Sequence, residues 1–552
     1  MNKLSDIKIN IIIALIAAVI LIPFLGNVHL FDWDEINFAE CAREMIVTKD
    51  YLRVQIDYQP FWEKPPLFIW CQALSMNLFG VNEFAARLPN ALIGIISLLV
   101  LFNIGKKIID TEFGITWVLV YLGSFLPHFY FRSGIIDPMF NFFMFLSIYL
   151  IFRNYLYQNK NRTTIVLAGL CSGLAVLTKG PVGFLLPSIT YFIFWIVKRH
   201  EIKLPIVDAI LFAISASFVS LIWFGLETTS HGLSFITEFI KYQIRLLTTG
   251  EASHGGPFYY HFFVLLIGCF PASVFIFDFF KKKEYLQKEQ NDFRVLMVIL
   301  LFVVFIIFSI VKTKIVHYSS LAYYPMTFLA ASSIYFMIKK KIILKVWHYV
   351  ALIFLGLLFA ILFIGVPLLF IYRQRILPYI TDKFVQGNLS MIVPWNGYEF
   401  LIGVLFLIGI IISIICLRKQ KIKYGLYLLF LNVIIVIFLF LPVAMPKIEK
   451  HVQGAVIDFY ESIINKDVYV NVFGMKSYAH LFYSKKKYEN SAASLNMTQN
   501  DYEVWLKEGK VDKPVYFICK IQDKDDCMRL PDIELIKEEG GFVFFRRMPS
   551  KR

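Results

Sequence analysis

Long apolar runs alternate with short polar clusters along most of this chain, and many of the runs match a hydrocarbon layer of about 30 Å. They fall at Ile9 to Leu30, Leu88 to Ile104, Gly114 to Phe131, Met139 to Phe152, Thr163 to Leu177, Val182 to Val197 and Val207 to Phe224. Others follow at Phe258 to Phe280, Val295 to Ile310, Ser319 to Ile338, Val346 to Ile371, Phe400 to Leu417 and Tyr424 to Leu441. The pattern predicts a polytopic all-α bundle of about thirteen transmembrane helices, the shorter runs being extended by flanking polar residues. Beyond Leu441 the pattern changes. From Pro446 onward, strand-like runs (Val468 to Phe473, Val515 to Cys519, Phe542 to Phe545) alternate with helix-like polar segments, which predicts a small α/β domain. The chain thus divides into a membrane unit, 1–445, and a polar unit, 446–552.

Lysine and arginine fix the expected orientation, because cytoplasmic loops retain positive charge. Clusters at Lys106-Lys107, Arg153 to Arg162, Lys198-Arg199, Lys281 to Lys283, Lys339 to Lys341 and Arg418 to Lys423 fall on one side, together with Lys3 and Lys8. This places the amino end in the cytoplasm, and an odd number of spans then puts 446–552 outside. Three polar stretches face the same outer side: 31–87, 227–257 and 372–399. In the first, amphipathic pieces at Asn37 to Val47 and Pro66 to Leu78 predict helices lying along the interface as a lid. The first apolar run is long and lacks a small-residue cleavage site, so it reads as a retained span.

Composition agrees: 58% of residues are hydrophobic and only 17% charged, more apolar surface than a soluble core buries. The net charge of +15 is accounted for by topology, and nothing in its distribution calls for nucleic acid. Five of the seven cysteines lie in or near the spans without metal-type spacing. Cys519 and Cys527 fall close together in the tail, a spacing that suits a disulfide and equally suits two free thiols.

The chemistry begins directly after the first run, in Phe31-Asp-Trp-Asp-Glu-Ile-Asn-Phe-Ala-Glu40. Carboxylates at the rim of a bilayer are costly to desolvate, which makes Asp34 and Glu35 functional candidates. Asp137 sits at the expected outer end of the fourth span, where it can meet Asp34 across the bundle. Basic residues are available on the same face: Lys64 in Glu63-Lys64-Pro65-Pro66, Lys179 in Leu177-Thr-Lys-Gly180, Arg245, and Lys312 or Lys314 before Val316-His-Tyr318. Together they suit a transfer reaction, in which a carboxylate activates an acceptor hydroxyl and cations neutralise a departing phosphate. Plainer roles compete: a helix N-cap for Asp34, and snorkelling for Lys312 and Arg132.

The series Asp34-Glu35, Ala39-Glu40, Arg43-Glu44-Met45, Glu63-Lys64-Pro65, Leu177-Thr-Lys-Gly180, His254-Gly-Gly-Pro-Phe-Tyr-Tyr260, then Tyr318 with Pro325, resembles the GT-C membrane glycosyltransferases. Among them it is most similar to the lipid A aminoarabinose transferases and the protein O-mannosyltransferases. The resemblance implies inverting transfer of a sugar from a polyprenyl phosphate carrier, undecaprenyl in bacteria, at the outer face of the inner membrane. The acceptor would be a glycolipid such as lipid A, a glycan or a protein. By the same resemblance Asp34 and Asp137 match the catalytic acids, with Glu35 beside them, and Lys64, Lys179, Arg245 and Tyr318 match carrier-phosphate contacts. Glu63 and His254 match positions that can hold a divalent metal; from the residues alone, a hydrogen-bonded His254 without metal is the simpler reading. Asn37 departs from the pattern, standing where the aminoarabinose branch carries an arginine.

The residues are consistent with that chemistry in their own right. No Gly-rich phosphate loop is present, so the energy must come from an activated lipid, and a positive pocket with an acid–base residue suffices. A polymerase or ligase of lipid-linked oligosaccharides would share this donor type but emphasise arginines in a large outer loop. A secondary transporter would place its polar groups at the bilayer midplane within paired repeats.

Overall fold

A computed structural model of the chain describes residues 3–156, 162–199, 206–248, 255–280 and 286–549. Every predicted apolar run falls at least in part on helix. Among the described residues, however, eight helices rather than about thirteen are long and apolar enough to cross a membrane alone. They are Glu83–Ile108, Asp137–Leu156, Ile206–His231, Lys288–Ile310, Val316–Lys340, Val346–Ile371, Leu401–Arg418 and Ile422–Val443. Shorter apolar helices, Thr111–Leu122, Thr163–Lys179 and Val182–Lys198, pack among them.

The breaks have local causes. The first helix, Lys3–Leu21, stops well before Leu30, because Pro23 disfavours helical backbone at the residue preceding it. The run Phe258 to Phe280 is not one span but two pieces, Tyr260–Gly268 and Ala272–Phe279, bent by 103° at Pro271. The run Gly114 to Phe131 likewise splits into Thr111–Leu122 and Phe125–Tyr130. The two breaks meet: the Phe125 amide donates to the Phe270 carbonyl at 3.1 Å, satisfying backbone groups that lipid could not.

Close helix contacts position the helix Thr163–Lys179. Thr163–Lys179 carries Gly169-x-x-x-Gly173, and an added Cβ on either glycine would lie 2.5 Å from a carbonyl of Ile206–His231, Phe212 or Ala216. Small residues at this spacing let the two backbones approach directly. The helix then ends at Gly180, whose φ of +114° is open to glycine and to few other residues. That turn leaves Lys179 at the rim.

The two predicted interfacial helices are present as Asp34–Thr48 and Leu67–Phe79. The second exposes Leu74, Leu78 and Phe79, as an interfacial helix should. The first does not lie open on the surface: Glu35 to Met45 are all buried. It is enclosed because the C-terminal unit covers it. Lys486 Nζ lies 2.7 Å from Asp57 Oδ1, and Gln499 Nε2 donates to the other Asp57 oxygen at 3.1 Å. The Tyr58 hydroxyl and Arg43 Nη2 both donate to the Lys486 carbonyl, at 2.7 and 3.1 Å. The Leu30 amide donates to the Tyr483 hydroxyl at 2.7 Å.

The C-terminal unit holds a four-stranded sheet in the order Tyr469–Val472, Val515–Lys520, Phe542–Arg547, Ile533–Glu539. The first pair is parallel and the others antiparallel. Three strands coincide with the predicted runs. The fourth, Ile533–Glu539, is an exposed edge rich in glutamate and so lacks the apolar signature of a strand. Cys519 and Cys527 are free thiols, both fully buried in the core of this unit.

Candidate active site

Two helix starts, one helix end and one 3₁₀ turn converge on a single cluster of charged side chains. Asp34 opens the helix Asp34–Thr48 and Asp137 opens Asp137–Leu156, positions where the helix dipole favours a negative charge. Lys179 is the last residue of Thr163–Lys179, the matching position for a cation. His317 lies on the 3₁₀ turn Val316–Ala322. Its Nε2 is 3.3 Å from Asp34 Oδ2 and 3.8 Å from Asp137 Oδ2. Lys179 Nζ donates to Asp137 Oδ1 at 2.6 Å and stands 5.0 Å from the centre of the Tyr318 ring.

Lys64 completes the cluster from the first loop. Its ammonium is 3.9 Å from Glu63 and donates to the Tyr242 hydroxyl at 3.5 Å. Burial pushes the Lys64 pKa below the usual lysine range; Glu63 pulls it back, Lys179 adds to the fall, and Asp34 and Asp137 oppose it. The same charges therefore act on one another across this small space. Arg245, on the amphipathic helix Ser234–Thr248, reaches the cluster through Tyr242, its guanidinium 5.4 Å from the ring centre. The cavity beside them, ≈ 660 Å³, is apolar and lined by Phe129, Pro257, Tyr260, Phe363 and Val316, the chain neighbour of His317.

The acids of the first loop separate by their partners. Glu35 is not in the cluster: Arg87 grips both its oxygens at 3.0 and 2.7 Å. The amides of Gly134 and Phe31 donate to it at 2.6 and 3.0 Å. Burial would raise its pKa, but the guanidinium and these hydrogen bonds outweigh it and hold the carboxyl below its ordinary value. Glu40 is likewise spent on Arg43, at 2.7 and 2.6 Å. Asp34 keeps its carboxylate partly open, 29% exposed, with His317 Nε2 at 3.3 Å, and Glu63, beside the Lys64 ammonium, is open to a similar degree. Asp32, two residues earlier, is turned to the C-terminal unit, where burial lifts its carboxyl to about 6 against hydrogen bonds from Ser477 and the Tyr478 backbone.

Of the residues expected from sequence, the structure thus brings together Asp34, Asp137, Lys64, Lys179 and Tyr318, and joins Arg245 through Tyr242. Glu35 is a correction: its acceptors are already filled. Lys314 is another, since it donates to the carbonyls of Phe308, Ser309 and Val311 at 2.9, 2.6 and 2.6 Å, closing the end of Lys288–Ile310. Arg132 does not snorkel but donates to Ile20 and Pro23 carbonyls at 2.6 and 2.5 Å. His254 lies outside the described residues, among which no group of three or more His, Cys, Asp or Glu could hold a metal. Glu63, the described member of that expected pair, has the Lys64 ammonium as its neighbour. Sequence reading passed over His317, Tyr242 and Arg87. Two had a signal: His317 precedes Tyr318 in the same motif, and Tyr242 is one helical turn before Arg245.

Residues 63–223 match the family model described as dolichyl-phosphate-mannose-protein mannosyltransferase. A relative from Wigglesworthia glossinidia brevipalpis, undecaprenyl phosphate-alpha-4-amino-4-deoxy-L-arabinose arabinosyl transferase, is 27% identical over 436 residues, 74% of this chain and 76% of its own. The protein of the same name from Pectobacterium atrosepticum is 24% identical over 431 residues, 76% and 73%. The fold matches the crystal structure of ArnT from Cupriavidus metallidurans bound to undecaprenyl phosphate, with a TM-score of 0.73, 16% identity and 97% of each chain covered. The apo form of that protein gives 0.75, with 15% identity and 98% of each chain. In sequence and fold the chain resembles the GT-C membrane glycosyltransferases, the lipid A aminoarabinose transferases among them.

Proposed function

We propose that this chain is a membrane glycosyltransferase that moves a sugar from a polyprenyl phosphate, undecaprenyl phosphate in particular, to an acceptor at the outer face of a bacterial inner membrane. The observation that carries the proposal is the partly open Asp34 carboxylate, set with Asp137, His317 and the ammonium groups of Lys64 and Lys179 beside an apolar cavity. In this reading the Asp34 carboxylate takes the proton of an acceptor hydroxyl. The freed oxygen attacks the anomeric carbon, and the bond from that carbon to the phosphate oxygen breaks with its electron pair leaving on the carrier phosphate. The configuration inverts, because attack and departure occur on opposite sides of the sugar.

Lys64 and Lys179 offset the growing phosphate charge, and Arg245 with Tyr242 guards the entrance. A charge developing in a site shielded from water is stabilised more strongly by fixed cations than it would be in solution. Asp137 holds Lys179 in place at 2.6 Å, and the Tyr318 ring supports the same ammonium. The apolar cavity provides space for part of the carrier's hydrocarbon tail. Several relatives are named for transfer of aminoarabinose from undecaprenyl phosphate, which supports the donor class. Acceptor choice is a separate matter. Asn37 is buried, its amide turned so that nitrogen donates to the Trp33 carbonyl at 2.9 Å and oxygen accepts from Trp33 Nε1 at 3.1 Å. It brings no cation toward an acceptor phosphate, and the class remains glycolipid, glycan or protein.

Mass spectrometry of glycolipids and glycoproteins from cells with and without the gene tests the reaction: a difference of one sugar residue on one acceptor is expected, and none would refute it. Lys64→Ala should raise KM for the donor roughly tenfold or more, the scale of a lost charge-assisted contact; unchanged donor kinetics would remove Lys64 from the phosphate site. The orientation has its own test. A thiol reagent that cannot cross membranes should fail to label Lys282→Cys in intact cells, and labelling would invert the topology.

A further inference from the structure

His317 has no part in the transfer scheme above, yet its placement is specific. Its backbone is fixed to the helix that carries Asp137: Asn141 donates to the Ser320 hydroxyl at 2.7 Å, and that hydroxyl donates to the His317 carbonyl. The ring then reaches between two carboxylates on different helices. Asp137 Oδ1 is occupied by Lys179, but Oδ2 is buried and has no hydrogen-bond partner. That oxygen lies 3.8 Å from His317 Nε2, and Asp34 Oδ2 lies 3.3 Å from the same nitrogen. A bare nitrogen lone pair pointed at two acidic oxygens would be repelled by both, so Nε2 must carry the hydrogen.

We infer that His317 is a positioning residue for the transfer step, its Nε2–H directed at Asp34 Oδ2, 3.3 Å away, so that Oδ1 is presented to the acceptor, with Asn141 and Ser320 anchoring the histidine backbone. This rests on the glycosyl-transfer reading. A carboxylate at the start of a helix rotates freely about its last torsion, and a single donor on one oxygen selects the other as the base. The groups facing His317 are Asp34 and Asp137 on one sign and Lys179 and Lys64 on the other, two against two. With its hydrogen on Nε2, the imidazole acts by direction, as a donor aimed at one carboxylate oxygen.

The test uses the full-length protein in lipid nanodiscs, with the polyprenyl-phosphate-linked sugar extracted from producing cells as donor and undecaprenyl phosphate alone as the binding probe. Two variants of similar size separate donation from packing: His317→Gln retains an N–H donor and His317→Met does not. Met is expected to lower kcat about a hundredfold, the scale of a misplaced catalytic group, while undecaprenyl phosphate binds within about twofold of wild type. Gln should recover at least about tenfold of that loss. If wild type is active and Met turns over as fast as Gln, the role of His317 is overturned and the function stands. If wild type transfers no sugar, the glycosyl-transfer reading falls and this role with it. Should Met lose undecaprenyl phosphate binding as well, His317 serves the donor pocket and the inference is also wrong.

Discussion

Asp34→Asn is expected to lower sugar transfer by about a thousandfold, within the range set by loss of a general base, while protein yield and thermal unfolding in detergent stay at wild-type values. The two halves of that expectation come from different observations. Activity falls because the amide cannot accept the acceptor's proton. Stability is kept because Asp34 is partly exposed and the asparagine oxygen can still accept from His317 Nε2, 3.3 Å away. Measuring product by mass spectrometry alongside the melting curve separates the two. An active Asp34→Asn enzyme would return the assignment to Asp137 or to another base entirely.

The second large effect concerns stability. Arg87→Met should destabilise the fold by about 3–5 kcal/mol, the cost of leaving a buried charge without its partner. Arg87 is bound to more than Glu35. It also donates to the Leu25 and Val28 carbonyls at 2.8 and 2.6 Å and to the His29 carbonyl at 2.9 Å, which belong to the irregular segment after the first helix. Its loss therefore frees the segment leading to Asp34, and activity should fall with the melting temperature. Replacing Glu35 as well, in Glu35→Gln with Arg87→Met, should restore part of the stability because no uncompensated carboxylate remains. A single variant that melts within about 1 kcal/mol of wild type would show that water or another cation satisfies Glu35.

How much of this could be read in advance differs by feature. Helices were legible wherever the chain is apolar throughout, because lipid demands satisfied backbone and leaves few alternatives. Their continuity was less so. The break at Pro271 is marked in the sequence, but the carbonyl it frees finds the Phe125 amide, a contact more than a hundred residues away in the chain. The candidate site shows the same division. Asp34, Lys64 and Asp137 stand out as charges in apolar surroundings. Whether Asp34 or Glu35 is the open acid cannot be decided locally, since adjacent helical residues differ by only about 100° in direction. Arg87 decides it, from another helix. The exposed strand Ile533–Glu539 was missed for a related reason: an edge strand wet on both faces has no apolar period to detect.

Asp57 and Lys486 form their pair from opposite ends of the chain, and this sets an order of events during synthesis. At elongation rates of ~5–20 residues per second, the ribosome needs on the order of half a minute to travel from one to the other. Throughout that interval the Asp57 carboxylate lacks its ammonium partner, and Arg43 lacks the Lys486 carbonyl. The helix that begins with Asp34 is still uncovered. The contacts that close over this helix therefore form only once the ribosome has passed Lys486, after all the helices before it have been made.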